Sequence, residues 1–225
     1  MCSRYRLTSP PSAVRAFLAT TNEELFPPRV TIAPAQPVHI ARLDPRGQRR
    51  LDLVRWGLVP GWVKDFSAFS LLFSARSEGA LEKPTFRAGL NYRRCLVPAD
   101  GYTQWTGAKG ARKPHFVSPV EPRPMAFAGI WDHWLGADGS ELESMAILTV
   151  AAGSDVAALH DRMPAILSPG HFADWLDCRG CPAGDATVFL RPTPSGTLRF
   201  GVANPAPGPG ADGAAEPPEP PDAIA

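Results

Sequence analysis

The sequence predicts an α+β or mostly-β domain in which strands outnumber helices. Apolar and polar residues alternate at 38–43, which indicates a strand. A turn at 44–48 follows, and 50–58 returns as its partner, so the stretch predicts a β-hairpin. Further stretches with strand character lie at 95–105, 115–117, 125–131 and 145–150. There is no glycine-rich phosphate loop, and helical segments are few, so a parallel nucleotide-binding sheet is excluded.

Length and charge favour one domain followed by a tail. A chain of 225 residues can bury the apolar surface of one large core. Pro, Gly, Ala and acidic residues dominate 206–225, which predicts a disordered tail behind a domain that spans 1–205. The formal net charge of +1 excludes a strongly basic nucleic-acid coat protein but allows a local basic groove.

Cysteine usage indicates a reducing, cytoplasmic environment. Cys2, Cys95, Cys178 and Cys181 follow no secretory signal, and no apolar run reaches the ~18 residues of a membrane helix. Cys178 and Cys181 have the two-residue gap of a zinc half-site, but only His171 lies near them as a further ligand. We therefore expect a loop cysteine pair, no metal and no contact with a membrane.

In the first half of the chain, a short strand precedes residues 9–12, which signal the N-cap of an amphipathic helix at 13–18. That helix is expected to end near Thr20 to Asn22. After the hairpin, residues 59–62 form a loop that exposes or wedges Trp62. Residues 82–93 are predicted to be loop and short helix. This segment and its next residue carry a cluster of basic side chains, which is either a solvated face or a phosphate contact. The cluster consists of Lys83, Arg87, Arg93 and Arg94.

In the second half, 95–99 and 101–105 are predicted to be successive strands around the turn dipeptide Asp100-Gly101. Residues 154–164 begin with a good cap and end at a proline, as a short helix does. Ser168-Pro169 opens another helix that is expected to reach Leu176.

The amino terminus carries the most distinctive chemistry. If Met1 is removed, Cys2 presents an α-amine and a thiol on adjacent carbons, and no internal cysteine offers that pair. The two groups can condense with one aldehyde carbon, first as a Schiff base and then as a thiazolidine ring. Ordinary pKa values of ~7.7–8.0 for the amine and ~8.5 for the thiol leave a usable share of both reactive near neutral pH. An accident of the start site is the alternative.

Two further features have both a functional and a plain interpretation. His160 can transfer protons near neutral pH and Arg162 can bind an anion, although the run around Asp161 could be a solvated surface. Trp62 can stack on a base or can belong to the core.

Together these stretches resemble the SRAP family, the SOS-response-associated peptidases. The matching segments cover residues 2–204 in order and are Met1-Cys2-Ser3-Arg4-Tyr5, Thr31-Ile32-Ala33-Pro34, Arg55-Trp56-Gly57-Leu58-Val59-Pro60-Gly61-Trp62, Ser74-Ala75-Arg76-Ser77-Glu78, Ala99-Asp100-Gly101-Tyr102-Thr103-Gln104-Trp105 and His160-Asp161-Arg162-Met163-Pro164. The resemblance implies one domain with a mixed, largely antiparallel, barrel-like sheet and a few flanking helices.

The resemblance also implies a function. Family members bind single-stranded DNA, crosslink covalently to abasic sites and so shield the lesion, and remove their own Met1. Cys2 would close a ring on C1′ of the opened deoxyribose, and His160 would assist sugar opening and proton transfer, with Gln104 and Ser74 in the same catalytic set. The residues expected to contact DNA are Arg4, Trp62, Arg76, Lys83, Arg87, Thr149 and Arg162. We expect a monomer without cofactor in the bacterial cytoplasm, associated with the nucleoid on damage.

Three positions depart from the family pattern. Ser74 stands where the family has Asn, Gln104 where it has Glu, and Val63 where it has a second aromatic residue of the wedge. Glutamine keeps the shape and hydrogen bonding of glutamate but cannot exchange a proton. We therefore expect slow self-processing and removal of Met1 mainly by methionine aminopeptidase. The sequence leaves open whether Glu78, Asp100 or Asp161 replaces the missing carboxylate.

Two other functions stay open. A diverged paralogue could bind DNA non-covalently, which the changes at Ser74, Gln104 and Val63 favour. An amino-terminal-nucleophile hydrolase for another substrate has only Cys2 in its favour.

Overall fold

The structure is a computed structural model that describes residues 3–66, 68–108 and 111–203. The predicted nucleophile Cys2 and the predicted tail at 206–225 lie outside the described residues. Among the described residues, no helix is both long and apolar enough to cross a membrane.

Strands form most of the secondary structure. They are β1 (Arg4–Leu7), β2 (Arg29–Ile32), β3 (Pro37–Leu43), β4 (Arg49–Trp56), β5 (Ser74–Arg76), β6 (Arg94–Ala99), β7 (Gly101–Thr106), β8 (Lys113–Pro119), β9 (Met125–Leu135), β10 (Glu141–Ala151), β11 (Arg162–Pro164), β12 (Ile166–Leu167) and β13 (Leu198–Val202). The α-helices are α1 (Pro11–Leu18), α2 (Pro84–Tyr92), α3 (Phe172–Leu176) and α4 (Ala183–Ala186), with 3₁₀ turns at Ser77–Gly79, Pro169–His171 and Thr187–Phe189.

Five strands close into a barrel. β4 pairs with β3, β3 with β6, β6 with β9 and β9 with β10, all antiparallel, and β10 returns to β4 in parallel. The predicted hairpin is confirmed, with β3 and β4 paired from Pro37 opposite Arg55 to Leu43 opposite Arg49. β5, β11 and β12 extend the same sheet at its margins. The α+β class and the mixed, largely antiparallel barrel are therefore confirmed.

A second sheet of five strands has the order β13-β8-β7-β1-β2. The successive strands expected around Asp100-Gly101 are confirmed as β6 and β7, and they lie in different sheets, because β6 belongs to the barrel and β7 to this second sheet. Position 101 has no room for a side chain, because a Cβ on Gly101 would lie about 2.5 Å from the carbonyl oxygen of Val117. Asp100-Gly101 is thus the crossing point between the two sheets.

The helix at 13–18 is confirmed, but its predicted start and end are wrong. α1 begins at Pro11 after Pro10, without a side-chain cap, and ends at Leu18 where Ala19 adopts a φ of 54°. The hydroxyl of Ser9 is unavailable as a cap because it donates to Asp100 Oδ1 at 2.6 Å. Asp100 therefore fixes the chain before the helix.

The capped segment at 154–164 does not form a helix. Turns occupy 154–159, and β11 then pairs antiparallel with β10, with Arg162 opposite Ala151 and Pro164 opposite Thr149. Pairing with β10 outweighs the local helix signal because it satisfies the backbone groups of both strands. The helical segments at 82–93 and 168–176 are confirmed by α2 and by α3 with its preceding 3₁₀ turn.

Candidate active site

The start of β1 places two buried polar side chains opposite each other. Arg4 pairs with Thr103 on β7, so the next pair in the antiparallel register is Ser3 and Gln104. Both are 2 % exposed, and neither Ser3 Oγ nor Gln104 Oε1 has a hydrogen-bond partner among the described residues. Unpaired buried polar atoms cost free energy and are typical of functional sites. The next residue towards the amino terminus is Cys2.

A second group of site residues lies where β10 meets β5 and β11. Thr149 of β10 is opposite both Arg76 and Pro164. Its side chain is 1 % exposed and its hydroxyl donates to the carbonyl of Ala75 at 3.2 Å. Thr149 therefore holds β5, which carries half-buried Ser74 and exposed Arg76, and it offers no exposed surface for a ligand.

Trp56 connects these two groups through the core. Its ring packs edge-on against Tyr5 at 5.2 Å and against Phe73 at 6.1 Å. Its indole N–H donates to the carbonyl of Phe73 at 2.8 Å, directly before Ser74. The fully buried tryptophan thus fixes the start of β5 against β1, one residue from Arg4.

Arg162 is held by a carboxylate. Its two terminal nitrogens donate to the two oxygens of Glu78 at 2.6 and 2.8 Å, and Nη2 also donates to the backbone and side-chain oxygens of Thr149. The Arg162 side chain is 11 % exposed. The hydrogen bonds from Arg162 hold the pKa of Glu78 below its usual range. Arg162, expected to hold a phosphate, therefore already has an anion as its partner.

His160 has two neighbours at one ring nitrogen. Its Nδ1 lies 2.9 Å from the backbone N–H of Arg162, which donates, and 2.6 Å from Asp161 Oδ1. Burial lowers the pKa of His160, and the Asp161 charge opposes that shift. The charge of Arg112 also lowers this pKa, so Arg112, between β7 and β8, lies within electrostatic reach of the histidine. The sequence interpretation missed Arg112, whose only signal was a local run of basic residues with Lys113.

Trp62 lies in a loop on the barrel surface and is 61 % exposed. Phe69 packs edge-on against it, with ring centroids 6.0 Å apart. Val63, the position where the family has its second aromatic residue, is buried with Val59 and Trp134. The aromatic neighbour of Trp62 is thus Phe69. Phe69 lies seven residues after Trp62 and outside the motif that ends at Trp62, so the motif gives no signal for it.

Three polar contacts anchor this loop to the barrel. Ser144 Oγ accepts from the N–H of Val59 at 2.8 Å, and Trp134 donates its indole N–H to the carbonyl of Val63 at 2.6 Å. Asp132, nearly buried, accepts from the N–H of Gly61 at 3.3 Å and pairs with Arg93 at 3.0 Å. The base of the loop is therefore rigid, while Trp62 projects from it.

The basic cluster on and around α2 divides into two parts. Lys83 directly precedes the first residue of α2, and Arg87 follows one turn later, so both lie on the same side of the helix start. Lys83 is half-buried and Arg87 is exposed. Arg94 instead points inwards, is 2 % exposed and donates to the carbonyls of Leu90, Trp175, Asp177 and Cys181. A phosphate contact by Arg94 is therefore excluded, whereas half-buried Lys83 and exposed Arg87 lie at the surface.

No group of three or more His, Cys, Asp or Glu side chains that could hold a metal occurs in the described part of the chain. Cys178 and Cys181 are free and half-buried in the loop between α3 and α4. A surface cavity of about 600 Å³ lined by Arg55, His133 and Glu143, among others, contains none of the predicted site residues.

The fold and the site residues define a class: α+β proteins with a closed five-stranded barrel and a second sheet, in which the start of the first strand lies beside a buried glutamine. The family model of the SOS response associated peptidase (SRAP) matches residues 1–204, and the chain belongs to this family.

Similar proteins support the same assignment. The chain is 33 % identical over 153 residues to the abasic site processing protein YoaM of Bacillus subtilis, covering 68 % of this chain and 67 % of YoaM. It is 33 % identical over 178 residues to the abasic site processing protein HMCES of Gallus gallus, covering 68 % of this chain and 53 % of that protein. A crystal structure from Bordetella bronchiseptica has a TM-score of 0.75 at 26 % identity, covering 90 % of this chain and all of that one. Another from Bacteroides thetaiotaomicron has a TM-score of 0.80 at 22 % identity, with 91 % and 93 % coverage, and shows the fold.

Proposed function

We propose that the protein recognises abasic sites in single-stranded DNA and forms a covalent thiazolidine crosslink through Cys2 after Met1 is removed. The observation that carries this proposal is the pair of buried, unpaired polar atoms, Ser3 Oγ and Gln104 Oε1, beside the start of β1. A buried acceptor without a partner can receive a hydrogen bond from the α-amine of Cys2 or from a sugar hydroxyl. The similar proteins named for abasic site processing support the choice of lesion.

The arrangement suits a lesion that lacks a base. Trp62 and Phe69 can stack on bases next to the gap, which requires no particular sequence. Arg4, Arg76, Lys83 and Arg87 provide cations for phosphates, and such contacts fix the strand without reading bases. Thr149 supports the strand that carries Arg76 from inside the sheet.

In the proposed reaction, the α-amine of Cys2 attacks the C1′ aldehyde of the opened sugar and water leaves as the Schiff base forms. The thiolate then adds to the same carbon, and the amine nitrogen takes up one proton as the five-membered ring closes. His160 exchanges protons with the sugar oxygens. Gln104 can orient an amine or a hydroxyl but cannot supply a proton.

One denaturing gel tests the proposal. The protein is mixed with a single-stranded oligonucleotide that carries one abasic site, and the wild type is compared with Cys2→Ala. We expect a shifted band that depends on Cys2. If mass spectrometry shows that Met1 is absent and no shifted band forms after long incubation, the covalent proposal is wrong.

Removal of Met1 is tested separately. Because Gln104 cannot act as a general acid or base, we propose that methionine aminopeptidase does most of this processing. Protein made in cells depleted of that activity should retain Met1 by mass spectrometry. A chain that still begins at Cys2 would contradict this part of the proposal.

The second candidate function is non-covalent binding of DNA. The observation in its favour is that Gln104 occupies the buried position beside β1 where a proton-exchanging carboxylate would be needed. Under this alternative, retention of the abasic oligonucleotide in a native gel would be the same for the wild type and Cys2→Ala, with no band surviving denaturation.

A further inference from the structure

Two of the three carboxylates that could replace the one missing at Gln104 already have other partners. Asp100 accepts hydrogen bonds from the backbone N–H and the hydroxyl of both Thr8 and Ser9. Glu78 accepts two hydrogen bonds from Arg162. Both carboxylates therefore hold structural groups in place.

Asp161 is in a different position. Its Oδ1 lies 2.6 Å from His160 Nδ1, and its side chain is 81 % exposed. No other hydrogen bond of this carboxylate occurs among the described residues. Asp161 is thus the one carboxylate of the three that contacts the histidine.

His160 Nδ1 cannot serve both of its neighbours at once. To accept the N–H of Arg162 it must be unprotonated, and to donate to Asp161 it must carry the proton. A neutral histidine has one ring proton, so the choice at Nδ1 determines the state of Nε2. When Nδ1 carries the proton and donates it to Asp161, Nε2 has no proton and can act as a base. When Nδ1 accepts the N–H of Arg162, Nε2 carries the proton and can act as an acid.

We propose that Asp161 is a positioning residue for His160, which sets Nε2 as the atom that takes a proton from the sugar. This inference rests on the abasic-site function proposed above. The closed sugar loses the proton of its C1′ hydroxyl to Nε2 as the bond between C1′ and the ring oxygen breaks, and the ring oxygen then receives that proton. The imidazolium formed between the two steps is stabilised by the Asp161 carboxylate, and no net proton is gained or lost.

The first test examines the histidine itself, without DNA. The ¹⁵N shifts of the His160 ring are measured by NMR in the full chain and assigned with His160→Gln. We expect Asp161→Asn to move the ring from the Nδ1–H form towards the Nε2–H form and to lower its pKa further. Unchanged ring shifts and an unchanged pKa would overturn the proposed positioning.

The second test measures the crosslinking rate. Asp161→Asn should slow it roughly fivefold, a modest factor because solvent screens an exposed charge pair. Asp161→Glu should recover part of the rate, and Asp185→Asn, which removes an exposed carboxylate on α4, should leave it unchanged. In a Gln104→Glu background the loss from Asp161→Asn should shrink, because a second carboxylate can then share the proton.

The two tests separate this inference from the proposed function. If the wild type crosslinks and Asp161→Asn matches it in both rate and ring shifts, the inference fails while the function stands. If the wild type forms no Cys2-dependent crosslink, the proposed function fails, and the ring shifts still decide whether Asp161 sets the tautomer of His160.

Discussion

Restoring the family glutamate by Gln104→Glu should accelerate chemistry and reduce stability at the same time. Gln104 is 2 % exposed, and Oε1 has no partner among the described residues. A carboxylate placed there loses its hydration, so burial should raise its pKa towards the neutral range. A buried acid with such a pKa exchanges protons efficiently near pH 7.

The stability cost follows from linkage. Below pH ~4.3, the ordinary pKa of Glu, both the folded and the unfolded chain hold the proton, and the cost is absent. As the pH rises past that value, the unfolded chain releases its proton first, so stability falls until the pH exceeds the raised pKa in the folded state. Each unit by which the pKa is raised costs about 1.4 kcal/mol.

The assay combines thermal unfolding at several pH values with two rates, loss of Met1 and reversal of a purified crosslink. We expect one or both rates to rise by ~10²–10⁴, the usual contribution of a general acid or base. Gln104→Met is the matched control because it removes an unpaired buried oxygen. It should raise stability by about 1–3 kcal/mol without pH dependence.

Two outcomes would contradict the prediction for Gln104→Glu. If Gln104→Glu shows the pH-dependent loss of stability but leaves both rates unchanged, the side chain is buried away from the reacting atoms. If stability does not depend on pH, a cation compensates the new charge, and the assumed raised pKa is wrong.

Three further perturbations test the surroundings of the site. Trp62→Ala should weaken binding of single-stranded DNA by about 1–3 kcal/mol in a titration while leaving the Tm unchanged, and Leu25→Ala, which truncates another exposed apolar side chain, should do neither. Asp132→Asn should lower the free energy of unfolding by about 1.5–3 kcal/mol in urea and also weaken DNA binding, because the carboxylate anchors the Trp62 loop. Glu78→Gln should increase DNA affinity and steepen its salt dependence, because Arg162 then lacks a competing anion, and weaker binding would show instead that Glu78 orients Arg162.

The barrel was predictable because strand periodicity reports burial directly. In β3, buried and accessible residues alternate from Pro37 to Ile40, and the turn that follows leads into β4 as the sequence predicts. β6 carries no such alternation, since all six of its residues are buried, and this is why Arg94 was counted with the surface cations. A buried arginine with four carbonyl acceptors leaves no local signal in the sequence.

The site was predictable as a set of residue types but not as a set of contacts. The resemblance to the SRAP family implies that His160, Arg162, Ser74 and Gln104 belong to one site. Which carboxylate contacts the histidine depends on the turn at 154–159 and on the pairing of β11, both of which override the local helix signal. Adjacent residues on a strand point to opposite faces, so the contact between His160 and Asp161 requires the bend before β11.

The same pairing explains why Arg162 and Thr149 differ from the other candidates for DNA contact. Thr149 is opposite Arg76 on one side and Pro164 on the other, and its backbone oxygen accepts from Arg162. Together with Glu78, these groups lock β5 and β11 to β10, so that Arg76 and His160 emerge from a rigid base. Preorganisation of this kind reduces the entropy lost when a flexible strand of DNA binds. A substitution at Thr149 should therefore act on DNA through the positions of Arg76 and His160, whereas we propose that the exposed side chains of Arg76 and Arg87 contact phosphate directly.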